Sequence, residues 1–318
     1  MSSLNECLKQ FLDYLEIEKN RSLQTTRNYE FYLRRFLDFA QKGGVGDPKN
    51  ITTNLVHNFR LWLNRFQDKF GKPLQKNTQN YHLIALRSFL KYLNRQDIKT
   101  LAAEKIELGK MPQRQVDFLD GSDLERLLDA PTQQKKGNNL VSLRDRAILE
   151  LLFSAGLRVS ELANLKRDNI NLKKEEFTVR GKGSKLRVVF LSNQARYWLG
   201  KYLEIRHDVE PWLFIRHDRA AKANQKTKKQ SNNNLTPRSV QRIVEKHAKA
   251  AGLTKNITPH TLRHSFATDL LINGADIRSV QAMLGHASIT TTQIYTHITN
   301  QQLREVHKAF HGRKRQKD

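Results

Sequence analysis

With 56 Lys and Arg against 31 Asp and Glu, the 318-residue chain carries a formal net charge of +25, well beyond what solubility requires and a sign of a polyanionic partner. No stretch approaches the ~20 uninterrupted apolar residues of a membrane-spanning helix, and the opening MSSLNECLKQ lacks the basic start and apolar core of a secretory signal. A single cysteine, Cys7, excludes an intramolecular disulfide, so the composition describes a soluble protein of a reducing compartment that works on nucleic acid.

From Leu4 to about Leu93 apolar residues recur at helical spacing, which predicts four amphipathic helices. Their apolar sets are Leu4, Leu8, Phe11, Leu12 and Leu15; Tyr29, Leu33, Phe36 and Leu37; Leu55, Phe59, Trp62, Leu63 and Phe66; and Tyr81, Ile84, Phe89, Leu90 and Leu93. The breaks KGGVGDPKN and KFGKPLQKN separate them with turn-forming Gly, Pro and Asn. Lys and Arg fill much of the outward face, so this bundle can lie against phosphates; a solvated face is the alternative. The polar segment Ile106 to Val116, with Gly109 and Pro112, breaks the periodicity and marks a linker. The expected division is a first domain over 1–108, a linker over 109–117 and a second domain over 118–318.

In the second domain FLDGSDLERLLDA reads as a helix capped by Ser122 or Asp123, and SLRDRAILELLFSAGL as an apolar helix ending near Gly156. EEFTVRGKGSKLRVVFL holds two short β-prone runs around Gly181 and Gly183, the pattern of a hairpin. Three punctuated helices follow: one between Thr258-Pro259 and Gly274, one between Asp276 and Gly285, and one opening at Ser288 and leading to Tyr295. The basic, Asn-rich stretch from Arg216 to Pro237 has no apolar residue large enough to anchor it and reads as a mobile loop. The expected fold is mainly α, a four-helix domain followed by a mostly helical domain with a small antiparallel sheet.

Five sites in the second domain carry candidate chemistry. Arg158 follows Gly156 at a helix break, and Glu161 lies three residues on, within reach to orient it. Lys182 stands between two glycines at the hairpin tip. His260 and Arg263, three apart, share one face near the start of a helix, where backbone N–H groups favour an anion. His286 and Tyr295 complete the set in GHASITTTQIYTHI. Fixed cations around a phosphate stabilise the charge of a five-coordinate phosphorus without a metal. A tyrosine with a neighbouring base can be the nucleophile, and a lysine can protonate the leaving hydroxyl. Taken singly, each residue also has a plainer role: a structural Arg158–Glu161 ion pair, a hairpin-tip lysine, a helix-capping His286, a core Tyr295. His260 and His264 stand four apart like a metal pair, but HTLRH lacks the glutamate of the zinc-protease pattern and has no clustered acidic or thiol ligand.

Together, the motifs SAGLRVSEL, GKGSKLRVV, TPHTLRHSFATDLL, LGHASITTTQIYTHI and the tail QQLREVHKAF resemble, in content and order, those of the tyrosine recombinases, or phage-integrase-like recombinases. Within that family the chain is most similar to the Xer-type recombinases that resolve chromosome dimers. The resemblance implies a SAM-like core-binding domain followed by a catalytic domain. It implies that Tyr295 attacks a DNA phosphate to give a 3′-phosphotyrosine and a 5′-hydroxyl, with Arg158 and Arg263 holding the phosphate. His260 then assists proton transfer, His286 donates to a phosphate oxygen, Lys182 protonates the departing oxygen and Glu161 supports Arg158. It implies no cofactor, ATP or metal. The implied partners are a double-stranded recombination site and a homotetramer or heterotetramer on synapsed DNA, with a sister recombinase and a DNA translocase as further candidates, in a cytoplasmic, nucleoid-associated setting. In such a tetramer the segment with Ile298, Leu303, Val306 and Phe310 packs on a neighbour; folding back on its own domain is the alternative. A mobile-element integrase, a type IB topoisomerase and a non-catalytic DNA-binding protein are the competing functions.

Overall fold

The structure is a computed structural model and describes residues 3–68, 70–109, 117–133, 139–181, 186–217 and 233–285. The chain divides into two compact units, residues 1–113 and 114–318.

The first unit contains four α-helices: α1 (Leu4–Ile17), α2 (Leu23–Lys42), α3 (Thr53–Arg65) and α4 (Lys76–Arg95). Three starts are set by side-chain caps, which satisfy amide groups that have no intrahelical partner. Ser3 and Glu6 form a reciprocal capping box on α1, Ser22 caps α2 and Thr52 caps α3. Leu8, Phe11, Leu33, Phe36, Phe59, Leu63, Leu86, Phe89 and Leu90 are buried in one core. Each such side chain contributes about 1.5–3 kcal/mol by leaving water. Two residues depart from the expected apolar stripe of α4: Tyr81 and Ile84 are exposed, while Leu83, Ala85 and Leu86 are buried in their place. Tyr81 instead stacks on the Tyr32 ring, with centroids 6.2 Å apart.

In the second unit α5 (Gly121–Asp129) begins slightly earlier than expected. Its cap is Asp120, whose carboxylate takes both the Asp123 amide and the Ser122 hydroxyl. α6 (Leu140–Ala155) runs through the middle of the core, with Leu143, Ala147, Ile148, Leu149, Leu151 and Leu152 buried. Its charged residues are buried too, and each has a partner as burial demands. Arg146 reaches Glu150 at 2.7 Å and also pairs with Asp129; Asp145 accepts from Arg144 at 2.7 Å and meets the His247 ring at 2.9 Å. α6 ends at Gly156, and α7 (Val159–Ala163) follows, with Arg158 at its N-cap.

The hairpin is β1 (Glu176–Arg180) paired antiparallel with β2 (Leu186–Phe190), with Val179 opposite Arg187 and Phe177 opposite Val189. Its tip, residues 182–185, lies outside the described residues. α8 (Asn193–Glu204) packs on α6 and is capped by Ser192. α9 (Pro237–Ala250) follows a Thr236 cap, with Pro237 in its first turn, where proline fits.

The loop expected over residues 216–237 is described only at its two ends, and those ends are anchored. Leu235 is 2% exposed and donates its amide to the Phe214 carbonyl, and Asn234 bridges to Ile215. The expectation of no apolar anchor therefore fails at Leu235, which enters the main core. α10 (Pro259–Ile272) opens on a Thr258 capping box, and α11 (Ile277–Leu284) opens on Asp276 and closes at a left-handed Gly285. The expected linker residues 110–116, the helix opening at Ser288 and the segment with Ile298, Leu303, Val306 and Phe310 lie outside the described residues. The protein is thus mostly helical, with one small two-stranded antiparallel sheet among the described residues. No helix among them is long and apolar enough to cross a membrane.

Candidate active site

Two glycine turns organise the site. Gly156 ends α6 at φ +54°, and a Cβ there would lie 2.5 Å from the Phe266 ring of α10. Gly285 ends α11 at φ +63°, and a Cβ there would lie 2.9 Å from Arg187 Cδ. Both positions need glycine, for backbone conformation and for close approach.

Two arginines from separate elements converge on these turns. Arg263, 3% exposed on α10, donates from Nη1 to the Gly156 carbonyl and from Nη2 to the Leu284 carbonyl, each at 2.6 Å. Arg158 stands at the N-cap of α7 and donates from Nη2 to the Gly285 carbonyl at 3.0 Å. The end of α6 and the end of α11 are therefore tied together by the two guanidinium groups that the sequence singles out 105 positions apart (263 − 158). His286 is the next residue in the chain after Gly285.

Glu161, in the first turn of α7, accepts from the Arg158 amide and from Arg158 Nη1, both at 2.8 Å. Its side chain is 5% exposed, while that of Arg158 is 29% exposed. Glu161 also accepts a bidentate pair from Arg187 on β2, Nη1 to Oε1 and Nη2 to Oε2, each at 2.8 Å. Arg187 Nε donates to the Met283 carbonyl at 3.0 Å. Burial pushes the Glu161 carboxyl up, but the Arg187 hydrogen bonds, followed by those from Arg158, hold it below the usual carboxylate range.

Arg187 has no role in the sequence reading, although it lies inside GKGSKLRVV. The sequence carries no signal for it: apolar alternation along β2 would turn Leu186, Val188 and Phe190 inward and Arg187 outward, whereas the structure exposes those three and turns Arg187 onto a buried partner. That partner, Glu161, is not visible from local sequence.

His260 is exposed in the first turn of α10, and its ring meets His264 edge-on with centroids 5.0 Å apart. Among the described residues no group of three or more His, Cys, Asp or Glu could hold a metal ion. Lys182, His286 and Tyr295 lie outside the described residues. Beside Arg158 and Glu161, an open cavity of about 1050 Å³ is lined by Ser160, Asn164, Lys166, Asn169, Thr178 and Arg180, and reaches Gly181 at the base of the hairpin tip. Its amide, hydroxyl and cationic groups suit a sugar-phosphate chain, whose backbone is held by such donors. Chemically, the arrangement holds two fixed guanidinium groups, Arg263 buried on the two turns and Arg158 at the groove.

The profile described as "Phage integrase family" matches residues 117–302, and that described as "Phage integrase, N-terminal SAM-like domain" matches residues 8–97. The chain is 35% identical to "Tyrosine recombinase XerC" of Thermodesulfovibrio yellowstonii over 98% of both chains. It is also 35% identical to "Tyrosine recombinase XerD" of Listeria monocytogenes, over 98% of this chain and all of that one. Among solved structures, that of "XerH site-specific recombinase bound to difH substrate: pre-cleavage complex" is 26% identical, with a TM-score of 0.68 over 94% of this chain and 82% of that chain.

Proposed function

The chain belongs to the phage integrase family, and from that premise we propose that this site-specific tyrosine recombinase resolves chromosome or plasmid dimers. Arg158 and Arg263 clamp the non-bridging oxygens of the scissile phosphate. The Tyr295 phenol loses its proton to His260 and attacks phosphorus. The P–O5′ bond breaks, Lys182 gives the departing 5′-oxygen a proton, and the strand stays linked through a 3′-phosphotyrosine. His286 donates to a phosphate oxygen as negative charge builds there, where preorganised donors matter most. Attack by the 5′-hydroxyl of a partner strand reverses the steps and rejoins the DNA. The phosphotyrosine conserves the bond energy, so no nucleotide is spent.

The observation that carries this reading is the crossing of Arg158 and Arg263 over the two glycine turns, directly before His286. The resemblance to both XerC-named and XerD-named relatives favours dimer resolution, with DNA as the partner and a tetramer of this chain alone or with a sister recombinase. Regulation by a DNA translocase and a cytoplasmic, nucleoid-associated location belong to the same reading. The test is to mix the protein with fragmented host DNA, denature, and sequence what stays covalently attached. Dimer resolution predicts one site beside the chromosome terminus; a site at the boundary of a mobile element would assign integration instead.

A further inference from the structure

Arg158 is the more exposed of the two clamp arginines, and it is paired with an acid. Arg158 donates from Nη1 to the Glu161 carboxylate at 2.8 Å. A one-to-one pair of that kind would cancel much of the charge that a phosphate needs from Arg158. The cost is higher because Glu161 is 5% exposed, where solvent screens little.

The second unit supplies a counter-charge. Arg187, 9% exposed, turns both Nη groups onto the two Glu161 oxygens in the fork geometry that binds carboxylates best. Its Nε is fixed on the Met283 carbonyl, and its Cδ lies against Gly285, so the fork has a single orientation. Two guanidinium groups then share one carboxylate, and the cluster keeps a net positive charge on the side where Arg158 opens to the groove.

We propose that Arg187 is an electrostatic positioning residue: it neutralises Glu161, so that Glu161 can aim Arg158 through the α7 cap without quenching the charge that Arg158 presents to the scissile phosphate. The proposal rests on the reading of Arg158 as a phosphate clamp. A merely structural Arg187, pinning β2 to the end of α11, predicts something different, and the two are separable.

The experiment measures single-turnover cleavage at saturating DNA, on the covalently captured site carrying either the ordinary phosphate or an uncharged methylphosphonate at the scissile position. For Arg187→Met the expected result is cleavage of the ordinary phosphate slowed by about tenfold or more, equivalent to roughly 1.4 kcal/mol of barrier. DNA affinity should be little changed, and the defect should shrink on the methylphosphonate, which needs less cationic help. Adding Glu161→Gln should then speed Arg187→Met up, because the acid that quenches Arg158 is gone. Arg187→Lys, which keeps the charge and loses the fork, should stay nearer wild type than Arg187→Met. An equal defect of Arg187→Met on both substrates, or a double variant slower than Arg187→Met, would overturn the proposal. If Arg187→Met does not fold, a Lys variant that folds but is equally slow on both substrates would do the same. Arg158→Ala separates the two levels. If its defect does not shrink on the methylphosphonate, the clamp reading fails and takes the proposal with it; if it shrinks while that of Arg187→Met does not, only the proposal fails.

Discussion

Replacing Gly156 by alanine perturbs the turn on which the proposed arginine clamp depends. The residue sits at φ +54°, where an L side chain costs roughly 1–2 kcal/mol. The new Cβ would also stand 2.5 Å from the Phe266 ring and 3.2 Å from Leu284, so the ring must move within a packed neighbourhood. Such overpacking typically costs about 1–3 kcal/mol more. Gly252 is an internal control: it has φ +71° and nothing within 4 Å of where a Cβ would stand, so its alanine variant bears the backbone cost alone. Urea unfolding of the two full-length variants should therefore place Gly156→Ala below Gly252→Ala by about the overpacking cost, ~1–3 kcal/mol. Because the Gly156 carbonyl accepts from Arg263, cleavage should fall for Gly156→Ala and stay near wild type for Gly252→Ala. Equal destabilisation of the two variants would refute the close-approach argument, and unchanged cleavage by Gly156→Ala would refute the link between the turn and the clamp.

Lys182→Ala should cleave ordinary DNA slowly and recover when the leaving 5′-oxygen is replaced by sulfur, which departs with little acid assistance; an equal defect on both substrates removes Lys182 from the acid role. His217, beside the Tyr202 hydroxyl at 3.1 Å, is pushed down from 6.5 to about 4 by burial first and by Arg144 and Arg206 after it. The folded state thus binds fewer protons than the unfolded chain, so the stability tied to neutral His217 is present above pH 6.5 and is lost as the pH falls from 6.5 towards 4. His217→Gln should flatten that fall in a urea-midpoint series, and an identical slope in wild type and variant would contradict the assignment. DNA affinity should drop steeply with salt, with a slope of about −0.9 per neutralised phosphate on a log-log plot, as the charge of +25 implies; a flat dependence would argue against backbone binding.

Helix punctuation is the most legible part of the fold. Thr258, Asp276 and Gly285 cap where the sequence places them, because an N-cap oxygen and a left-handed glycine act on their own immediate backbone. Asp120 is harder to tell from Ser122 or Asp123 because all three are good caps, and only the packing of Leu127 and Leu128 into the core sets the phase. α8 and α9 are less conspicuous in the sequence. Ser192 and Thr236-Pro237 announce them, yet Pro237 adjoins the basic loop, whose composition overshadows Leu235. Tyr81 and Ile84 fit the apolar period but lie at its edge, where a helix inside a bundle buries the neighbouring Leu83 and Leu86 instead.

At the site, Arg158 and Glu161 are readable as a pair because three positions on a helix start bring them together. The meeting of Arg158 with Gly285 and of Arg263 with Gly156 spans more than a hundred residues, and only the tertiary fold reveals it. Arg187 shows the same limit: apolar alternation along β2 predicts the opposite face, and its two anchors, Glu161 and Met283, come from distant elements.

The proposed covalent strand transfer by Tyr295, on which the whole mechanism turns, is tested most directly by trapping the protein on a nicked duplex of its captured site and separating it under denaturing conditions. The expected result is a protein–DNA adduct for the wild type and none for Tyr295→Phe, although both bind the duplex equally. An adduct of undiminished yield with Tyr295→Phe would contradict the assignment of the nucleophile.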